Sequence, residues 1–263
     1  MGNKPKSKKW LFWLLAVFAV NIALILFMFY GTITCQRSTV QSIVKNIEVK
    51  TNTEIYFDTV KFNITFLKFY NFKIKFKNDS AVSFDTLQID YSFKDLVLNN
   101  KYDVNAKGEN LEYKDASRVF WDVEFFNAAE LLINFKGEAQ NIAGYYVDFE
   151  ARNITSNMEN KFFFLLGQLL DVKSLKTSIN FNNLRTGFKL AGDKFVLEKL
   201  ELENKDIYVY GGGSISLAGD MNFDFNAKYF PASSGASLTD LTKWEETSLI
   251  MDGTIHNPEI KIK

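Results

Sequence analysis

Residues 72–77 read FKIKFK, and their reading decides the fold. Phe72, Ile74 and Phe76 alternate with lysines, which is the two-residue period of a strand with one oily and one wet face. The same period precedes them in Val60, Phe62, Ile64 and Phe66. It returns in Leu87, Ile89, Tyr91 and Phe93, in Leu131, Ile133 and Phe135, and in Tyr145, Val147, Phe149 and Ala151. Leu175, Thr177, Ile179 and Phe181 continue it, then Ile207 and Val209, and finally Met221, Phe223, Phe225, Ala227 and Tyr229. Turn signals such as Asn78-Asp79-Ser80, Asn99-Asn100, Gly192-Asp193 and Gly219-Asp220 separate the runs. Short strands joined by short turns predict a mainly β protein, an elongated antiparallel meander.

Two stretches read differently. Residues 43–50 fit a short amphipathic helix, and residues 160–170, NKFFFLLGQLL, fit either a short helix or a buried strand. Gly211-Gly212-Gly213 follows a strand but lacks the helix start and lysine of a phosphate loop, so a kink or bulge is expected there. With no Pro/Gly-rich hinge inside it, the part from residue 36 to 263 reads as one domain.

The amino terminus is of another kind. Residues 10–30, WLFWLLAVFAVNIALILFMFY, contain no charge, and 21 residues at 1.5 Å each make about 31 Å of helix, the thickness of a bilayer's hydrocarbon core. Trp10, Trp13 and Tyr30 stand near its ends, and Lys4, Lys6, Lys8 and Lys9 precede it. The expected arrangement is a cytoplasmic basic tail over 1–9, a single-pass transmembrane helix over 10–30 and the β domain on the far side. A cleaved signal would have a shorter apolar run and a small-residue cleavage site. Thr-Ile-Thr before Cys35 also lacks the small residue of a lipidation signal.

Several function classes drop out. Acidic and basic residues number 31 each, but removing the four amino-terminal lysines leaves the rest with four net negative charges, unsuited to nucleic acid. One cysteine, Cys35, and one histidine, His256, offer no disulfide, no zinc cluster and no local catalytic motif. His256 reads as a turn residue beside Asn257-Pro258. No catalytic residue, metal or cofactor is therefore expected, and Glu198, Glu201 and Glu203 read as part of a solvated face. A meander with one apolar face must either cover that face or leave it lining a groove. If it is a groove, the candidates to line it are Phe62, Ile64, Phe66, Phe72, Ile74, Phe76, Ile89 and Tyr91.

Over most of its length, and above all in the last hundred residues, the chain resembles the AsmA-like proteins, bacterial inner-membrane proteins with one amino-terminal helix and a long periplasmic β-sheet. The apolar run FFFLLGQLL is followed by strands, and the ending DGTIHNPEIKIK is similar to that family's closing pattern through Gly253, Thr254, Asn257 and Pro258. The resemblance implies a sheet curled into an apolar groove that binds or moves phospholipid and serves outer-membrane lipid homeostasis. It also implies an inner-membrane anchor with the carboxy-terminal domain in the periplasm. On the order of 12 to 16 strands would span roughly 60 to 75 Å, too short for a complete bridge across the periplasm. The alternative is a non-enzymatic structural or assembly factor that binds another envelope protein.

Overall fold

The computed structural model describes residues 31–114, 125–138, 141–156, 166–177, 179–235, 243–254 and 257–263. Among them fourteen strands form one antiparallel sheet. They are β1 (Ile33–Gln36), β2 (Thr53–Tyr56), β3 (Thr59–Phe62), β4 (Phe66–Phe76), β5 (Ala81–Tyr91), β6 (Lys101–Lys114) and β7 (Phe125–Glu138). There follow β8 (Asn141–Ser156), β9 (Ile179–Ala191), β10 (Lys194–Glu203), β11 (Ile207–Ser216), β12 (Asp220–Tyr229), β13 (Glu245–Thr254) and β14 (Asn257–Ile262). Three helices interrupt them, α1 (Gln41–Thr51), α2 (Phe93–Leu98) and α3 (Lys173–Thr177), with a further helical turn at 166–169. Among the described residues no helix is long and apolar enough to cross a membrane, and residues 10–30 and His256 lie outside them.

From β3 onward each strand pairs with the next in sequence, and β1 flanks β3. β2 and β3 both pair with β4, so they are two lengths of one strand broken at Phe57-Asp58. Thirteen strands abreast at about 4.8 Å give a path of about 58 Å. No second sheet lies over this one among the described residues, yet Ala151, Ala227 and Leu249 on its apolar face are 0%, 0% and 2% exposed. The sheet therefore curls over its own apolar face.

Its two ends differ. One end gathers the tight turns at 63–65, 192–193 and 217–219, together with α2. The other gathers α1, residues 166–177 and residues 230–235, together with the tight turns at 77–80 and 204–206. At that second end Leu170, Val172 and Leu175 pack into the core beside Ile207. This cover is fastened by polar contacts: Asn204 donates to Ser174 Oγ at 3.0 Å, and the Ala232 and Ser233 amides donate to Asp171 at 2.7 and 2.8 Å. At the first edge, Glu48 and Arg37 satisfy the backbone of the exposed strand β2, accepting from the Ile55 amide at 2.8 Å and donating to its carbonyl at 3.1 Å. That blunts an edge otherwise open to another strand.

A row of asparagines crosses the middle. Asn71, Asn110 and Asn153, on β4, β6 and β8, have φ of 51°, 52° and 50°, a left-handed conformation that asparagine tolerates better than most residues. The flanking register places all three on one line across the sheet. At this line the alternation slips, so residues three apart share a face: the Phe69 and Phe72 rings lie 5.0 Å apart, and Ala128 with Leu131, like Ala151 with Ile154, are both buried.

Several expectations change accordingly. Residues 60–66 are not one strand, because Asn63 Oδ1 accepts from the amides of Thr65 and Phe66 at 2.8 and 3.0 Å and closes a turn. Phe93 lies in α2, which Ser92 caps by accepting from the Asp95 amide at 3.2 Å, and Leu175 and Thr177 lie in α3. The expected helix at 43–50 is α1, and of the 160–170 stretch the described part is 166–170, in which 166–169 are helical and Leu170 begins a turn. The bulge expected at Gly211–Gly213 falls on the facing strand, between Leu197 and Leu200. The glycines instead make room for stacked rings. A Cβ at Gly213 would stand 2.4 Å from the Phe223 ring, and one at Gly211 2.7 Å from that of Phe225.

Candidate functional site

Cross-strand register assembles the apolar face into rows. The longest begins at Ile33 and passes through Phe62, Leu67, Ile89, Ala106, Ile133 and Phe149. It continues through Thr186, Leu200, Gly211, Phe225 and Leu249 to Ile262. This row runs from the first strand to the last without a charge. Next to it, towards the tight-turn end, a second uncharged row joins Tyr91, Val104, Phe135, Val147, Phe188 and Leu197, then Gly213, Phe223, Met251 and Ile260.

Cover over these rows is uneven. Near the long connections the face is closed, with Phe181, Ile154 and Ile207 3%, 2% and 1% exposed. Towards the tight turns Val104, Ile133, Phe135, Val147, Phe149 and Phe188, on β6 to β9, are only half-buried, whereas Met221, Phe223 and Met251, on β12 and β13, are 3%, 4% and 3% exposed. Tyr102, Phe135 and Tyr145 cluster there, with ring centroids 5.4 to 6.3 Å apart. One polar atom interrupts the long row: Thr186 is 7% exposed and its hydroxyl has no hydrogen-bond partner among the described residues. An unmet buried hydroxyl costs about 1–3 kcal/mol.

Phe62 and Ile89 lie in the long row and Tyr91 in the second, while Phe72 and Ile74 pack into or against the closed half of the same face. Phe76 follows them at the end of β4, exposed. Ile64 is in the turn. Phe66 pairs with Asp90, opposite in face to Leu67 and Ile89. Gly253 and Thr254 end β13, and they pair with Pro258 and Asn257 of β14. Thr186 and Leu200 carried no sequence signal, since a threonine suits either face and the bulge in β10 hides the period.

The opposite face is charged. Lys107 and Arg152 both reach Glu130, at 2.8 and 3.0 Å, and Arg152 and Arg185 reach Glu150, at 2.7 and 3.1 Å, which joins β6 to β9. Tyr146 donates to Asp148 at 2.7 Å, and that bond together with burial pushes its hydroxyl up to about 12. A polar cleft of about 310 Å³ lies beside α2 between Asp90, Tyr91, Ser92 and Asp103. Among the described residues no group of three or more His, Cys, Asp or Glu is placed to hold a metal, and Cys35 is a half-buried free thiol.

No protein-family model, curated protein or solved structure matches the chain. Its function is read from the face itself.

Proposed function

We propose that the apolar face is a lipid-binding groove and that the protein is a membrane-anchored envelope protein that binds or transfers phospholipid. The observation that carries this reading is the uncharged row from Ile33 to Ile262, interrupted only by Thr186 and half-covered through much of its length. An acyl chain laid along it gains about 0.8 kcal/mol per buried methylene, so transfer needs no catalyst. The apolar segment 10–30 supplies the anchor, and the AsmA-like ending supports a bacterial inner-membrane location with the β domain in the periplasm.

A second reading, an assembly factor that binds another envelope protein, draws on the closed half, where the face is already a finished core. Photocrosslinking of the full chain in cells separates the two. A benzoylphenylalanine at Phe135 is expected to capture phospholipid, identified by mass spectrometry of the adduct, whereas one at Lys136, on the other face, is not. Protein adducts without lipid at Phe135 would favour the assembly factor.

A further inference from the structure

We infer that the tight-turn end of the sheet rests on the bilayer surface, with α2 embedded in it as a shallow interfacial helix. The helix presents Phe93, Leu96 and Val97 at i, i+3 and i+4, and together with Leu98 these are 45%, 41%, 53% and 73% exposed. A soluble surface has no use for four such neighbours on a six-residue helix.

The occupant follows from where the chain enters. Ile33, 47% exposed, pairs with Phe62 at the same end of the sheet. It follows Tyr30, the last residue of the uncharged segment, by three residues, which reach at most about 11 Å. If residues 10–30 span the membrane, on which this inference rests, Ile33 is held within that distance of the interface. From β1 the path crosses β3 and β4 to β5, three spacings or about 14 Å, and α2 directly follows β5. The tether therefore brings α2 to the membrane surface. Lys94 and Lys101 flank its apolar stripe but are matched by Asp90, Asp95 and Asp103 beside them, so the apolar stripe and the tether, and not charge, carry the docking. The half-covered part of the apolar face is on this side of the sheet, so a lipid would pass from the bilayer into the groove without crossing water.

The test uses the full chain with Cys35→Ala, reconstituted in vesicles of phosphatidylethanolamine and phosphatidylglycerol. A single cysteine replaces Leu98 or, as control, Val49, which is 76% exposed near the other end of the sheet. Each carries an environment-sensitive fluorophore, and nitroxide-labelled lipids serve as quenchers. A several-fold rise in emission with strong quenching is expected for Leu98→Cys and neither for Val49→Cys. Protein that floats with the vesicles while the Leu98 label stays in water would overturn the docking and leave the anchor standing. Protein that does not float overturns the anchor and the docking with it, whereas the groove is judged separately by the Phe135 crosslink. Emission that rises with protein density but resists lipid quenching would place a second copy on α2 and also overturn the proposal.

Discussion

The same strands are finished differently at their two ends. At the long-connection end, residues 166–177 and 230–235 close over the face, and Leu170, Val172 and Leu175 are 2%, 0% and 3% exposed. At the tight-turn end the turns are too short to fold back, and Phe195 and Leu217 stand 46% and 67% exposed. The alternation of side chains is equally regular at both. Over β6 to β9, whether the apolar face becomes a core or stays half-covered thus follows the connections and not the alternation of the strands, whereas on β12 and β13 Met221, Phe223 and Met251 stay buried even beside short turns.

Truncation should expose this difference most strongly. Phe181→Ala, in the closed half, is expected to cost about 3–5 kcal/mol through lost burial and a cavity that the packed cover cannot refill. Phe135→Ala, in the half-buried row, should cost about half as much, because part of its surface is already in contact with solvent. Urea unfolding of both variants measures it. Equal losses would mean that the tight-turn end is as closed as the other, and the groove reading would lose its ground.

Between the halves runs the asparagine row, and it marks how far the sequence could be read. The meander, the apolar period and α1 follow from alternation and helical spacing, forces local to each segment. The slip at Asn71, Asn110 and Asn153 is equally local but has no periodic signature, so Phe69 and Phe72 look out of phase although their rings touch. The turn at Asn63 and the cap at Ser92 were legible from the asparagine and from the Ser-x-x-Asp spacing, but the hydrophobic period ran across both. Cover is a long-range property, and no local pattern encodes it. Substituting the row tests its role. Asn110→Gly should be nearly neutral, since glycine takes the positive φ freely, whereas Asn110→Val should lose about 1–2 kcal/mol, read as a lower melting temperature. Equal tolerance of both would show that the slip does not depend on this conformation.

On the charged face, the ladder from Lys107 to Arg185 stitches four strands along the tight-turn side of the asparagine row. Lys107, bonded to Glu130, and Arg152 hold that carboxyl below its ordinary range. For Glu150, burial pushes upward, but Arg185 and Arg152 outweigh it and the net displacement is again downward. A depressed carboxylate stabilises the fold above its unfolded pKa, near 4.3, and that stabilisation disappears as the pH falls through the folded value. Arg152→Gln should therefore cost at most about 1 kcal/mol at neutral pH, because the arginines are 46% and 49% exposed and well screened. In urea titrations the gap from the parent should shrink with added salt and narrow further in acid, below the ordinary glutamate range. A much larger loss at neutral pH would mean that the outer ladder, and not the cover at one end, holds the sheet in its curl.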